Sequence, residues 1–326
     1  MRRTAVPVVP VLGGVLLVVS LLAGSTTVRA APARPACPVA PLLASAARTV
    51  PTAAGCSAVG RAVAGPGGLI AHVPAAGYGV GVSRPAATGA QVMTVENTGR
   101  AVVIASSSTP ASASAAPRTA AACSEYQYAF ETDRQGHRLA WHSVLRWYLT
   151  YATSARAGIV TAHAVAALRA ANRNVTTDNN DCGSTARFPG AVGSFQGNTS
   201  RYSNVDSRGC TSRFPDGQST ISFGSVASGT TLGTTCFAFR TSGAGHMIEA
   251  DILIASNRNV YANLPSPCGY RYFDLQSVAT HEWGHAYGLA HSGGRDLTMY
   301  PAARACNYSM RTLGRGDITG LSTLYP

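Results

Sequence analysis

The 326-residue sequence predicts a mixed α/β (α+β) fold, and three stretches carry the prediction. "TAHAVAALRAANRNV" places its apolar residues on one face at helical spacing. "TTCFAFR" and "HMIEADILIAS" read as two strands joined by the glycine turn "TSGAG". "DLQSVATHEWGHAYG" offers Asp274 as an N-cap, followed by Leu275, Val278 and Ala279 at helical spacing, so a helix runs from about Leu275 to Tyr287.

From the N-terminus, residues 1–30 have two arginines, an apolar run broken by Pro and Gly, and the small residues Val28 and Ala30 before a cut. That is the pattern of a secretory signal, too short and interrupted for a membrane span. It predicts a secreted, extracellular protein with no stable membrane insertion after cleavage. Residues 31–105 shift to Ala, Gly, Val and Pro and read as a pro-segment or small accessory module, β-rich because "AQVMTVENTGRAVVIAS" looks like a hairpin turning at "ENTG". Residues 106–122, "SSSTPASASAAPRTAAA", read as an exposed linker, and residues 123–326 as the main domain. Within that domain "RLAWHSVLRWYLTYA" alternates like an early strand.

The chemistry concentrates in "HEWGHAYGLAH". On a helix His281 and His285 share a face about 6 Å apart along the axis. Gly288 ends the helix, and a left-handed glycine there turns the chain so that His291 returns to the same point. Three neutral imidazoles hold a zinc ion at ~2.1 Å and leave a fourth position open for water. Glu282, rotated about 100° from His281, is badly aimed as a ligand and well aimed at that water, as a general base. The pattern points to metal-assisted hydrolysis.

The run H-E-x-x-H-x-x-G-x-x-H, filled at every fixed position, resembles the long motif of the metzincin zinc peptidases. "LTMYPAA" resembles their Met-turn, with Met299 as an apolar floor beneath the ligands, and both "TMYP" and the closing "GDITGLSTLYP" resemble the matrixin branch. The resemblance implies an α/β metzincin (zincin) catalytic domain. Its parts would be a twisted, mostly parallel sheet with an antiparallel edge strand, an active-site helix and a C-terminal helix. It also implies one catalytic Zn2+ and a protein or peptide substrate held along the strand Thr234 to Phe239, making Thr235, Cys236, Phe237 and Ala238 candidate substrate contacts. Pro301 stands where some metzincins carry a metal-binding tyrosine, so no tyrosine ligand is assigned. Ala302 and Ala303 leave the shape of the S1′ pocket open. Glu249 and Asp251 alternate on one strand face, either as a possible Ca2+ site or as a solvated acidic face. Trp283, inside the motif, reads as core.

All eight cysteines follow the signal, which favours disulfides in an oxidising compartment. Cys37 and Cys56 pair locally in this reading, and the other six allow 15 connectivities, among which Cys268 with Cys306 is expected because they flank the metal helix and the Met-turn. A zinc-blocking thiolate at Cys37 is disfavoured because it strands a partner. The net charge is +12 and all 26 basic residues are arginine, spread singly, so no nucleic-acid partner is expected, and the protein reads as a monomer. A binding or adhesion protein on a zincin scaffold is the main rival, opposed by the intact Glu282. A zinc hydrolase of a non-peptide amide would need a closed pocket instead of an open cleft.

Overall fold

In the computed structural model, β-rich and helical segments are organised around one nine-stranded sheet. The structure describes residues 42–43, 47–51, 57–86, 89–110, 119–226, 231–263, 268 and 271–326, all within one compact unit, Pro35–Pro326. The signal reading, Cys37 and Cys56 lie outside the described residues.

The strands of the large sheet are β1 (Ala47–Pro51), β2 (Tyr78–Ala86), β3 (Gly89–Asn97), β4 (Ala101–Pro110), β5 (Leu145–Leu149), β6 (Gly193–Asn198), β7 (Ser219–Gly224), β8 (Gly233–Arg240) and β9 (Met247–Ala255). Their spatial order is β6-β5-β7-β9-β8-β2-β3-β4-β1. The pairs β6/β5, β5/β7 and β7/β9 are parallel. The remaining five pairs are antiparallel. Among the strands of residues 123–326 the order is β6-β5-β7-β9-β8 with only β8 antiparallel, as the resemblance implies, but in the full sheet β8 is not an edge strand. The reason is that strands from before residue 111 add to the free edge of β8 and satisfy its outward backbone groups.

The helices are α1 (Thr119–Ser124), α2 (Tyr151–Arg156), α3 (Thr161–Thr176), α4 (Leu275–Ala286) and α5 (Arg315–Leu324). α3 buries Ala164, Ala167, Leu168, Ala171 and Val175 and packs on α4, which itself lies against β8 and β9. The core between helices and sheet is built on Trp147, Trp283, Tyr287, Leu145 and Leu149, with the Trp147 and Trp283 rings edge-to-face at 5.0 Å. Trp283 is thus core. Short strands Ile70–His72 and Gly209–Cys210, paired with each other, touch β2 from a second, smaller sheet.

The early strand is shorter than its alternation suggests, Leu145–Leu149 only, because the chain turns directly into α2, where the Tyr151 amide donates to Asn198 Oδ1. The hairpin turning at "ENTG" is present as β3 and β4. β4 runs on through Pro110 and α1 starts at Thr119, so the first and last residues of the Ser/Ala/Pro stretch are in regular structure; residues 111–118 lie outside the described ones.

Three disulfides join described cysteines: Cys123 to Cys182, Cys210 to Cys236 and Cys268 to Cys306. The second ties the small sheet to β8, and the third ties the loop before α4 to the segment after the Met-turn.

Candidate metal centre and cleft

α4 is capped as its sequence suggests: the Asp274 carboxylate accepts from the Ser277 amide at 2.8 Å and pairs with the Arg311 guanidinium, whose Nε donates at 2.8 Å. The helix is buried on nearly all sides, so its side chains have few alternative places to go. At its end Gly288 adopts φ 90°, and a Cβ there would overlap the Leu139 carbonyl. That turn brings His291 back over the helix.

The three Nε2 atoms form a near-equilateral triangle, with 3.2 Å between His281 and His285 and 3.1 Å from each of these to His291. A tetrahedral zinc with ~2.1 Å bonds needs ligand nitrogens roughly 3.4 Å apart, so the cradle fits that ion. Backbone carbonyls fix the tautomers that such binding requires. His281 Nδ1 donates to Thr298 O at 2.7 Å and His285 Nδ1 to Leu289 O at 2.9 Å, leaving Nε2 unprotonated on both. Burial pushes His285 down to about 4, against the Leu289 hydrogen bond, and burial together with the two neighbouring imidazoles pushes His291 well down. His285 and His291 are therefore neutral, the form that binds metal. Among the described residues these three histidines are the one group arranged to hold a metal ion.

Glu282, next to His281 on α4, is 1% exposed and lines one pocket together with it. Its Oε2 accepts from Thr235 Oγ1 at 2.6 Å, and burial raises its carboxyl to about 8 despite that bond. A dication on the histidines acts in the opposite direction and favours the carboxylate. Beside it lies a small apolar pocket walled by Leu232, Val278, Tyr300, Pro301, Ala303 and Met310. Ala303 thus takes part in the wall that the sequence left open.

Met299 is 2% exposed and packs against Gly284, which lies between His281 and His285 on α4; a Cβ on Gly284 would overlap its sulfur. Sequence reasoning missed the residues that hold this floor. Asp317, in the first turn of α5, accepts from the amides of Thr298 at 2.8 Å, Met299 at 3.2 Å and Gly314 at 2.9 Å. An acid at the third position of a helix is a capping signal, but its link to a turn 18 residues earlier is tertiary. Glu131 was also missed: its Oε1 lies 3.2 Å from His285 Nδ1, and burial raises its carboxyl to about 8. Ser83, from the N-terminal strand β2, places Oγ 3.3 Å from His285 Nε2. Nothing local in the sequence marks either.

The candidate substrate contacts are all in β8, but each is already paired: Thr235 with Ser83, Cys236 with Val82, Phe237 with Gly81 and Ala238 with Val80. Thr235 also serves Glu282, and Cys236 is in a disulfide. Glu249 and Asp251 are neither solvated nor free for calcium. Glu249 accepts from the Asp216 and Gly217 amides, and Asp251 from the Asn204 and Thr220 amides. Both are buried, and they anchor β7 and the chain that leads into it.

Residues 184–326 match the model of the matrixin family. Metalloendoproteinase 4-MMP of Arabidopsis thaliana is 42% identical over 52 residues, 16% of this chain and 15% of that protein. Matrix metalloproteinase-20 of Homo sapiens is 42% identical over 57 residues, covering 18% of this chain and 12% of its own. Matrix metalloproteinase-27 of Tupaia belangeri is 40% identical over 53 residues, 16% and 10% respectively. The chain thus aligns with less than a fifth of the length of each. The family match, the motif and the three-histidine cradle agree, and residues 184–326 are similar to a matrixin zinc metalloendopeptidase domain.

Proposed function

We propose that the protein is a secreted zinc endopeptidase that hydrolyses peptide bonds of protein or peptide substrates, with Glu282 as general base. The observation that carries this reading is the convergence of the three Nε2 atoms beside the Glu282 carboxyl and the apolar pocket. His281, His285 and His291 would hold a zinc ion, which would supply Lewis-acid polarisation and a water of lowered pKa. Glu282 takes the proton from that water and hands it to the leaving amine. Thr235 holds the carboxyl in place through its hydroxyl. The backbone of Thr235 to Ala238 positions an extended peptide by strand addition, and the pocket takes an apolar side chain next to the scissile bond. The three disulfides and the N-terminal signal pattern support secretion, and residues 31–122 are the segment removed or displaced on activation.

The test compares Glu282→Ala and His285→Ala with wild type after the N-terminal segment has been cut away. Zinc is measured by atomic spectroscopy and cleavage with a quenched peptide, with a chelator control. Glu282→Ala keeps one zinc and loses ~100-fold to 10,000-fold in hydrolysis, the typical contribution of a general base. His285→Ala loses metal and activity together. Glu282→Ala with wild-type activity refutes the mechanism.

A further inference from the structure

We infer that Tyr78–Ala86 is a built-in pseudosubstrate: it lies along β8 in the place of a peptide, with Ser83 facing the metal, and it is the sheet, more than any bond to zinc, that keeps the cleft shut. The inference rests on the peptidase reading above.

Six residue pairs run from Thr235 with Ser83 to Arg240 with Tyr78, so the edge of β8 that would receive a substrate is used up. Ser83 is fully buried and its Oγ sits 3.3 Å from His285 Nε2, the atom reserved for metal. Two residues on, Pro85 lines the pocket beside Glu282. With the strand in place, His281, Glu282, His285 and His291 are all at most 8% exposed, which leaves no room for a second peptide.

The fit is written into both strands. Gly79 and Gly81 stand opposite Phe239 and Phe237, and a Cβ at either glycine would overlap the facing ring. Arg84 is locked next to Ser83, donating to Gly67 O at 2.8 Å, Gln91 Oε1 at 2.8 Å and Ser207 O at 3.2 Å. The Cys210 segment, disulfide-bonded to β8, packs on the other face of β2. On its far side β2 pairs with β3 over nine residue pairs and β3 with β4 over nine more, so the strands before residue 111 hold one another without the covalent link through residues 111–118. A neutral hydroxyl is a weak zinc ligand beside a thiolate. It follows that a cut after residue 110 leaves the cleft occupied, and that activation requires the N-terminal strands to dissociate.

The experiment uses the full chain, zinc-loaded, with a fluorescent hydroxamate peptide that binds an open zinc cleft. Gly81→Val drives a side chain into the Phe237 ring and expels β2 while leaving the metal ligands, Glu282 and the backbone of β8 unaltered. If the open state of wild type is populated below about 1%, wild type binds the probe roughly 100-fold more weakly than Gly81→Val. A wild-type chain nicked between residues 110 and 119 stays as weak as the intact one. Equal binding by wild type and Gly81→Val overturns the inference. Ser83→Cys provides an independent reading should the valine variant not fold. Loaded with cobalt, it shows a sulfur-to-cobalt charge-transfer band, and its thiol resists alkylation until the metal is stripped. A freely reactive thiol without the band overturns the placement of Ser83. A Gly81→Val protein that binds zinc and probe but cuts no peptide sinks the peptidase reading and leaves the occlusion standing. A wild type that cuts peptides while intact does the reverse.

Discussion

Asp317→Asn tests whether the C-terminal helix holds up the metal centre. In the wild type Oδ2 accepts from Thr298 and Gly314 and Oδ1 from Met299, all at a fully buried position. Asparagine keeps one oxygen, which retains the two bonds at the Oδ2 position and turns an NH2 group against the Met299 amide. One buried N–H is left unpaired, at about 1–3 kcal/mol, and the two retained bonds fall from charge-assisted to neutral strength, about 1 kcal/mol each. The sum is roughly 3–5 kcal/mol, or on the order of 10 °C in Tm for a domain of this size. The loss also reaches the metal. His281 Nδ1 is held by the carbonyl of Thr298, the residue whose amide Asp317 fixes. Loosening an outer partner of this kind typically costs ~10-fold to 100-fold in metal affinity. Denaturant melts with zinc in excess measure the first effect, and competition with a chromogenic chelator the second. A variant within about 1 kcal/mol of wild type and with unchanged zinc affinity would show that Asp317 does not support the Met-turn.

Gly288→Ala puts a Cβ into the Leu139 carbonyl at φ 90°, so it should destabilise by more than about 2 kcal/mol and accelerate zinc loss to a chelator, read by melts and metal competition. Replacing both Cys268 and Cys306 with serine opens a loop of 38 residues and should cost about 4 kcal/mol, measured by denaturant titration against the oxidised wild type. Burial raises Glu249 to about 7, above its unfolded value, so the folded state holds the extra proton and its stability falls as pH rises from about 5 to 7. Glu249→Gln removes that titration, so the stability advantage of wild type over the variant should shrink by up to about 3 kcal/mol across this window; a gap independent of pH refutes the assignment.

The zinc chemistry was legible in the sequence because it is local: His281 and His285 are one helical turn apart, Asp274 caps that helix from its own first turn, and Gly288 supplies the reversal that returns His291. The strand pair around "TSGAG", the helix 161–176, the hairpin at "ENTG" and the Cys268–Cys306 bridge were legible in the same way. What the sequence could not show is what meets what across long separations. Asp317 beneath Met299, Glu131 behind His285 and Thr235 on Glu282 have ordinary local contexts, and only the folded chain brings them within hydrogen-bonding distance. Glu249 and Asp251 alternate as an exposed acidic face would, yet neighbouring strands on both sides and backbone amides at their tips bury them. The state of β8 is the sharpest case: its composition marks a strand, but whether its outer edge is open or filled depends on a segment about 150 residues away, because backbone hydrogen bonds along a strand carry no side-chain signature of their partner.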